Sequence, residues 1–408
     1  MNIQDKNIFR SCTSCGVCAT VCSKRAITMQ LGSDGFYRPH IDESLCNDCG
    51  LCISICYKFD RNVQMTLSAN LTQKPLYSAW SNDDELVKST TSGGIGDLLA
   101  RQLLKDGYNI VGVAYNEDKT RAEHRIAKKE KDIYCFRGSK YIQSYTYEAF
   151  KEVVSNCRKE KYAVFGTPCQ IYALSKLATQ RKVRENFFFI DLYCHGCPSI
   201  HAWTKYQNSI KKKEGIKRFN YVNYRSKAKG GGMFKIEARD ENGNAFLSSP
   251  KDDFFYELFF SDIILNDACD DCLLRSTLEY TDIRLGDFWG HKFLDNQRGV
   301  SAVSLCTEKG MFLFDQLKSD ITCSRCSYDD FLPYQSWNRT YDVNSDVRKE
   351  LLSSLSKPQN ELSETIKILR HHQGMTATIK RYIKSVFALL PLGFTNSIKK
   401  IVYKFRNN

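Results

Sequence analysis

No stretch of this chain offers the roughly 18 uncharged apolar residues that a membrane-spanning helix needs, and the mean hydropathy is -0.42. It reads as a soluble globular protein. The opening residues MNIQDKNIFRSC carry no apolar leader, which argues against a secreted, disulfide-stapled protein and for a cytoplasmic one. No GxGxxG follows a strand-like run and no GxxxxGK[ST] occurs, so neither a Rossmann dinucleotide fingerprint nor a nucleotide triphosphatase is indicated. Acidic residues are missing from Thr376 onward, where Lys380, Arg381, Lys384, Lys399, Lys400, Lys404 and Arg406 supply about half of the net charge of +13. The surplus is a property of the tail, and no nucleic-acid partner is expected of the folded body.

What is abundant is cysteine. The 408 residues include 18 cysteines, and hydrophobic residues make up 42% of the chain. That length suits two or three domains of about 150 residues and excludes disorder as the main description. Without a secretory context, so many thiols point to metal or redox chemistry.

Eight of them fall in the first 56 residues as an internal repeat, Cys12-Thr-Ser-Cys15-Gly-Val-Cys18-Ala-Thr-Val-Cys22 and Cys46-Asn-Asp-Cys49-Gly-Leu-Cys52-Ile-Ser-Ile-Cys56. Residues 57–76 are polar and weakly periodic, which predicts a linker. A strand-like run begins near Leu76. Ile95, Leu98, Leu99 and Leu103 then recur at helical spacing up to Gly107, and Asn109–Tyr115 reads as the next strand. Tyr162–Phe165 and Phe187–Tyr193 are short continuous apolar runs, the pattern of buried strands, with a helical stretch between them. Turn residues at Lys229–Gly232 and Glu241–Asn244 predict hairpins, and Asp282–Gly286 a further strand. After Asp342 the chain turns into charged helical segments. The expected architecture is α+β: a ferredoxin-like module over 1–60, an α/β domain over 76–342 and a helical basic tail over 343–408.

Three cysteines two residues apart, then a fourth after three, wrap a [4Fe-4S] cubane, and in a double repeat the fourth serves the opposite cluster. One cluster would use Cys12, Cys15, Cys18 and Cys56, the other Cys46, Cys49, Cys52 and Cys22. Zinc would instead use two separated pairs. The proline usual after the fourth cysteine is replaced by Ser23 and Tyr57. Cys169 and Cys194 follow two predicted strands at their C-terminal ends, the edge where open α/β sheets bind ligands. With the CxxC pair Cys269 and Cys272 they could close a third cluster; ordinary buried thiols and an empty CxxC are the alternative. Thr91-Ser92-Gly93-Gly94 leads into a helix, which suits either a phosphate site or a plain cap.

Those motifs occur in a recognisable order: Ser-Thr-Thr-Ser-Gly-Gly (89–94), Arg-Gly-Ser-Lys-Tyr-Ile-Gln-Ser (137–144), Gly-Thr-Pro-Cys-Gln (166–170), Asp-Leu-Tyr-Cys-His-Gly (191–196) and Asp-Ile-Arg-Leu-Gly-Asp-Phe-Trp-Gly (282–290). The chain resembles the coenzyme F420 hydrogenase/dehydrogenase beta-subunit family over about residues 5–340. The resemblance implies an iron-sulfur flavoprotein with FAD beside a [4Fe-4S] cluster at Cys169, Cys194, Cys269 and Cys272. It implies that Thr91, Ser92, Gly93 and Gly94 approach the FAD phosphates and that Gly138, Ser139, Lys140, Tyr141 and Gln143 line the flavin. A Lys140 cation at the ring's pyrimidine edge would stabilise its anionic reduced form. His195 would relay a proton or, by preference, hydrogen-bond cluster sulfur. Cys197, Cys323 and Cys326 are read as non-ligands, and Cys135, Cys157 and Cys306 as packing residues.

The expected reaction moves electrons between a ferredoxin or another redox partner, three clusters, FAD and a small two-electron organic substrate, in a setting such as polysaccharide biosynthesis, where relatives are encoded. The alternatives are an oxidase or dehydrogenase subunit for reduced coenzyme F420 and a non-catalytic iron-sulfur carrier. Tyr382, Ile383, Val386, Phe387, Leu389 and Leu390 give the tail an apolar surface near Lys380, Arg381 and Lys384. It could rest on an anionic membrane face or pack against protein.

Overall fold

The computed structural model describes residues 1–228, 234–249, 253–296, 298–387, 390 and 396–398. In the N-terminal module strands β1 (Ile27–Leu31) and β2 (Tyr37–Ile41) form an antiparallel hairpin. Beside it, the short helices Val17–Val21 and Leu51–Ser54 start directly after Gly16 and Gly50. The chain then forms β3 (Leu76–Ser81), β4 (Asn109–Asn116), β5 (Arg121–Ala127), β6 (Ser144–Tyr145), β7 (Tyr162–Phe165) and β8 (Phe187–Leu192). A small antiparallel sheet of β9 (Tyr221–Asn223), β10 (Glu237–Arg239) and β11 (Ala245–Leu247) follows, then β12 (Ile283–Asp287), β13 (Ser301–Leu305) and β14 (Ile321–Cys326).

Nine of these strands make one sheet in the order β14-β3-β13-β12-β8-β7-β4-β5-β6. Strands β12, β8, β7 and β4 are parallel. Strand β3 points the same way, because it is antiparallel to β13 and β13 is antiparallel to β12. The C-terminal ends of β3, β7, β8 and β12 therefore share one edge, the binding edge of open α/β sheets.

Alternate residues of the central strands explain their unbroken apolar runs. Tyr162, Val164, Phe187 and Phe189 pack under the Pro168–Gln180 helix, together with Val17, Ile55 and Tyr57 of the N-terminal module. Ala163, Phe188 and Ile190 face the opposite layer, where Ile95, Leu99 and Leu103 of the Ile95–Lys105 helix cover them. Both faces of the sheet are buried, so neither can be polar. A third core joins Trp203, Tyr206 and Phe255 to Leu351, Leu355, Ile366 and Leu369 of the helices Ser345–Ser356 and Leu362–Phe387.

Several expectations need correction. The segment 57–76 is strapped to the body rather than a free linker: the Gln64 amide donates to Tyr280 Oη at 2.8 Å and Thr66 Oγ1 to Glu279 at 2.7 Å. Its polar side chains satisfy hydrogen bonds across that seam, which composition alone reads as solvation. The Glu241–Asn244 turn joins β10 and β11, with Asp240 accepting from the Asn242 and Asn244 amides, whereas Lys229–Gly232 lie outside the described residues. Cys157 and Cys306 are buried as expected, but Cys135 is exposed, its thiol donating to the Asp132 carbonyl. The tail helix is broken at Gly374 (φ 70°, ψ −173°), a backbone state open to glycine. Of the tail's expected apolar surface, Ile383 is exposed and Leu390 is half-buried, and the side chains of Tyr382, Val386, Phe387 and Leu389 lie outside the described residues.

Candidate metal centres and cofactor corner

The two cysteine runs fold into matching turns. Ser14 and Asp48 sit at φ 60° and 51°, and the following Gly16 and Gly50 at φ 77° and 75°. In both runs the amide two residues on donates to the first thiol, Ser14 to Cys12 Sγ and Asp48 to Cys46 Sγ, each at 3.4 Å. These turns aim Cys12, Cys15, Cys18 and Cys56 into one apolar cavity that Val17 and Ile55 also line. Cys22, Cys46 and Cys52 share the core of Ile27 and Ile41 with Cys18 and Cys56, and the exposed Cys49 lies within electrostatic reach of Cys52.

The third set is assembled by the sheet edge. Gly-Thr-Pro-Cys-Gln is a helix start: Thr167 caps, Pro168 opens the first turn, and the Gln170 side chain returns to the Thr167 amide at 2.9 Å. Such a capping box contributes about 1 kcal/mol, and it fixes Cys169 in the first turn, where the helix dipole favours a thiolate. Cys194 follows β8. Cys269 and Cys272 arrive on the loop before β12, held by Arg275, whose guanidinium donates to the Cys269 carbonyl at 2.6 Å and the His195 carbonyl at 3.0 Å. Burial first, then mutual repulsion, raises these thiols: Cys194 rises to about 11 with Cys272 beside it, and Cys269 rises well above the ordinary value with Cys272, Cys194 and Cys197 as neighbours. In the first set, burial raises Cys15 and Cys56 to about 12.

Among the described residues no three His, Cys, Asp or Glu side chains gather tightly enough to hold a single ion. The donor chemistry fits an iron-sulfur centre: buried thiols set against one another become thiolates only when a cationic group stands between them. Cys169 lies within electrostatic reach of Cys15, and Cys15, Cys169 and Cys272 pack against the same core. Arg275 and Arg284 lie within electrostatic reach of Cys194, where they would offset the charge of a thiolate-ligated cluster. Cys197 is a neighbour of Cys194 and Cys169, a fifth thiol that its spacing three residues after Cys194 had signalled. Cys323 and Cys326 are remote in the fold, on edge strand β14.

Both nitrogens of His195 are taken. Nε2 lies 2.7 Å from Asp262 Oδ1 and Nδ1 2.9 Å from Ser336 Oγ, so the expected bond to cluster sulfur is not made. The ring anchors the loop after Cys194.

The expected flavin motifs converge in part. The Ser139 amide donates to Thr91 Oγ1 at 2.7 Å, and a Cβ on Gly138 would stand 3.9 Å from the same oxygen. Gly93 earns its place by close approach, since its Cβ would meet the Ala79 carbonyl at 2.4 Å, and its amide donates to Ser301 Oγ. Gly94 (φ 83°) opens the Ile95–Lys105 helix. Ser92 Oγ is buried without a partner, a polar group waiting for one. Lys140 Nζ donates to the carbonyls of Cys135, Phe136 and Arg137; burial pulls its pKa down to about 7. Gln143 is not brought to this corner, because its amide spans from the Ser14 carbonyl to the Tyr37 amide in the N-terminal module.

Sequence reasoning missed the rest of the corner. Lys227 donates to the Val87 and Ser92 carbonyls, and burial lowers its pKa to about 8. Arg225 pairs with Asp287 and lies over the rings of Phe234 and Trp289. Tyr141 packs edge-on against Phe234, Tyr256 and Phe259. Asp287 and Trp289 stand in the 282–290 motif, which was the available signal. The result is a corner of aromatic rings, a buried hydroxyl and desolvated cations on the ligand-binding edge.

Residues 11–58 match the 4Fe-4S dicluster domain. Residues 76–151 match the N-terminal part, and residues 159–330 the C-terminal part, of the coenzyme F420 hydrogenase/dehydrogenase beta subunit. The chain belongs to that beta-subunit family. As a family member it carries a 4Fe-4S dicluster domain within a mixed α/β fold. Among curated proteins it is similar to the coenzyme F420 hydrogenase subunit beta of Methanococcus voltae, 31% identical over 109 residues, which are 26% of this chain. The match spans 38% of that relative's length. Among solved structures, a chain of the F420-reducing [NiFe] hydrogenase complex from Methanosarcina barkeri, in a xenon-derivatised form, aligns at TM-score 0.43 and 19% identity. That alignment covers 78% of this chain and 96% of the other.

Proposed function

We propose that this family member is the electron-relaying, flavin-bearing subunit of an oxidoreductase, with coenzyme F420 or another two-electron organic carrier as its substrate. The observation that supports this reading is the run of cysteines from the exposed Cys49 to those of the sheet edge. Cys49 is exposed and Cys15 half-buried, and Cys15, Cys169 and Cys272 pack against one core. The residues that would hold the cubanes are Cys46, Cys49, Cys52 and Cys22; Cys12, Cys15, Cys18 and Cys56; and Cys169, Cys194, Cys269 and Cys272. Bound there, they supply one-electron transfer, and FAD supplies its coupling to two-electron chemistry.

The chain's own residues do the rest. Arg275 and Arg284 offset thiolate charge, and the cores around Val17, Ile27 and Ile171 keep water from the thiols. Thr91, Ser92 and Gly138 would meet the phosphates, with Lys227 and Arg225 as cations. Lys140 and Tyr141 would border the ring system. His195, bonded to Asp262 and Ser336, fixes the Cys194 loop. The exposed Cys49 side is where a ferredoxin or other redox partner would dock.

The test is reduction of anaerobically purified protein with dithionite and, separately, with reduced coenzyme F420. Bleaching of flavin absorbance by both is expected. Clusters without flavin, unresponsive to the coenzyme, would leave the non-catalytic carrier reading.

One observation favours a membrane contact as well. Met375, Ile379 and Ile383 recur every fourth residue on the tail helix and are all exposed, in a segment rich in Lys and Arg. No helix among the described residues is long and apolar enough to cross a membrane, so such contact would be interfacial.

A further inference from the structure

The residue after the fourth cysteine of the second run, where proline is usual, is Tyr57. Its side chain is 3% exposed and packs edge-on against Tyr172, ring centroids 5.9 Å apart. Its hydroxyl accepts a hydrogen bond from the Leu273 amide at 2.9 Å. Leu273 directly follows Cys272. A single tyrosine thus joins Cys56 of the first thiol set to Cys272 of the third through covalent bonds and one hydrogen bond. Proline could not make this link, since its ring carries no polar atom and ends far short of Leu273.

We propose that Tyr57 is the electronic bridge between the first cluster set and the third, a positioning residue that gives the relay a bonded route where the alternative is a jump from Cys15 to Cys169. The inference rests on the three-cluster reading above. In the step it would serve, one electron would pass from the reduced centre that Cys12, Cys15, Cys18 and Cys56 would hold to the oxidised centre that Cys169, Cys194, Cys269 and Cys272 would hold. No bond breaks and no proton moves.

The test compares wild type, Tyr57→Phe and Tyr172→Phe by rapid-freeze EPR after mixing with dithionite, with iron content and midpoint potentials measured on each. Tyr57→Phe keeps the ring and deletes the bridge. Tyr172→Phe removes the neighbouring hydroxyl, bonded to Asp60, and leaves the Leu273 contact intact. The expected result is unchanged iron and potentials in both variants, with reduction of the third centre delayed by about an order of magnitude in Tyr57→Phe alone. Equal time courses in all three proteins would overturn the bridge and assign the transfer to Cys15 and Cys169. Wild type carrying about 8 iron instead of about 12 would overturn the three-cluster reading itself and the bridge with it.

Discussion

Replacing Arg284 by methionine strands a carboxylate at the base of the third thiol set. Arg284 and Asp191 are 1% and 2% exposed, and their contact is bidentate, Nε to Oδ1 at 2.8 Å and Nη2 to Oδ2 at 2.5 Å. The guanidinium also donates from Nη1 to the Arg275 carbonyl at 3.0 Å, so it braces the loop that follows Cys272. Removing one partner of such a buried pair costs about 3–5 kcal/mol, because the remaining charge stays desolvated. Removing both, as Asp191→Leu with Arg284→Met, eliminates the stranded charge, and pairs replaced in this way often come out neutral or better. Anaerobic urea unfolding followed by circular dichroism reads the difference as a midpoint shift at constant slope. The expected order is a loss of about 4 kcal/mol for Arg284→Met and within about 1 kcal/mol of wild type for the double variant. A single variant costing under about 1 kcal/mol, or a double variant costing the sum of the singles, would refute the argument.

Three further predictions concern His124, Gly93 and the tail helix. His124 is buried, bonded through Nε2 to the Phe165 carbonyl, and desolvation lowers its pKa from 6.5 to about 4. The unfolded chain binds that proton first, so its stabilisation is complete above pH 6.5 and lost as pH falls toward 4, by about 3 kcal/mol in all; His124→Gln should flatten the pH slope of the urea midpoint. Gly93→Ala drives a methyl into the Ala79 carbonyl and should cost about 1–3 kcal/mol by the same assay; an unchanged midpoint would mean the β3 contact yields. Ile379→Lys with Ile383→Lys should abolish cosedimentation with vesicles containing phosphatidylglycerol while leaving thermal stability unchanged, and no binding by wild type would remove the membrane contact.

Legibility followed the range over which each feature is dictated. The cysteine runs were readable because their turns are local: cysteine spacing and a glycine at positive φ decide the backbone within seven residues. Strands β7 and β8 were readable because burial on both faces leaves no polar positions. Strand β14, Ile-Thr-Cys-Ser-Arg-Cys, escaped notice because it is an edge strand with few apolar residues, held by pairing to β3. His195 and Gln143 were misplaced for a related reason. Their partners Asp262, Ser336, Ser14 and Tyr37 are distant in sequence, and no local pattern shows that a polar side chain is already satisfied. Arg225 and Lys227 were missed because their setting arises only when β9, β12 and the 89–94 loop meet. Tyr57 was visible as a departure from the usual proline, but its partner was not.

The central claim is that three thiol sets hold three cubanes in series beside a flavin. Iron, acid-labile sulfide and extracted flavin per chain, measured on protein purified without oxygen, test it most directly. The account predicts about 12 iron, about 12 sulfide and about one FAD. About 8 iron with no flavin would contradict it, leaving only the N-terminal clusters.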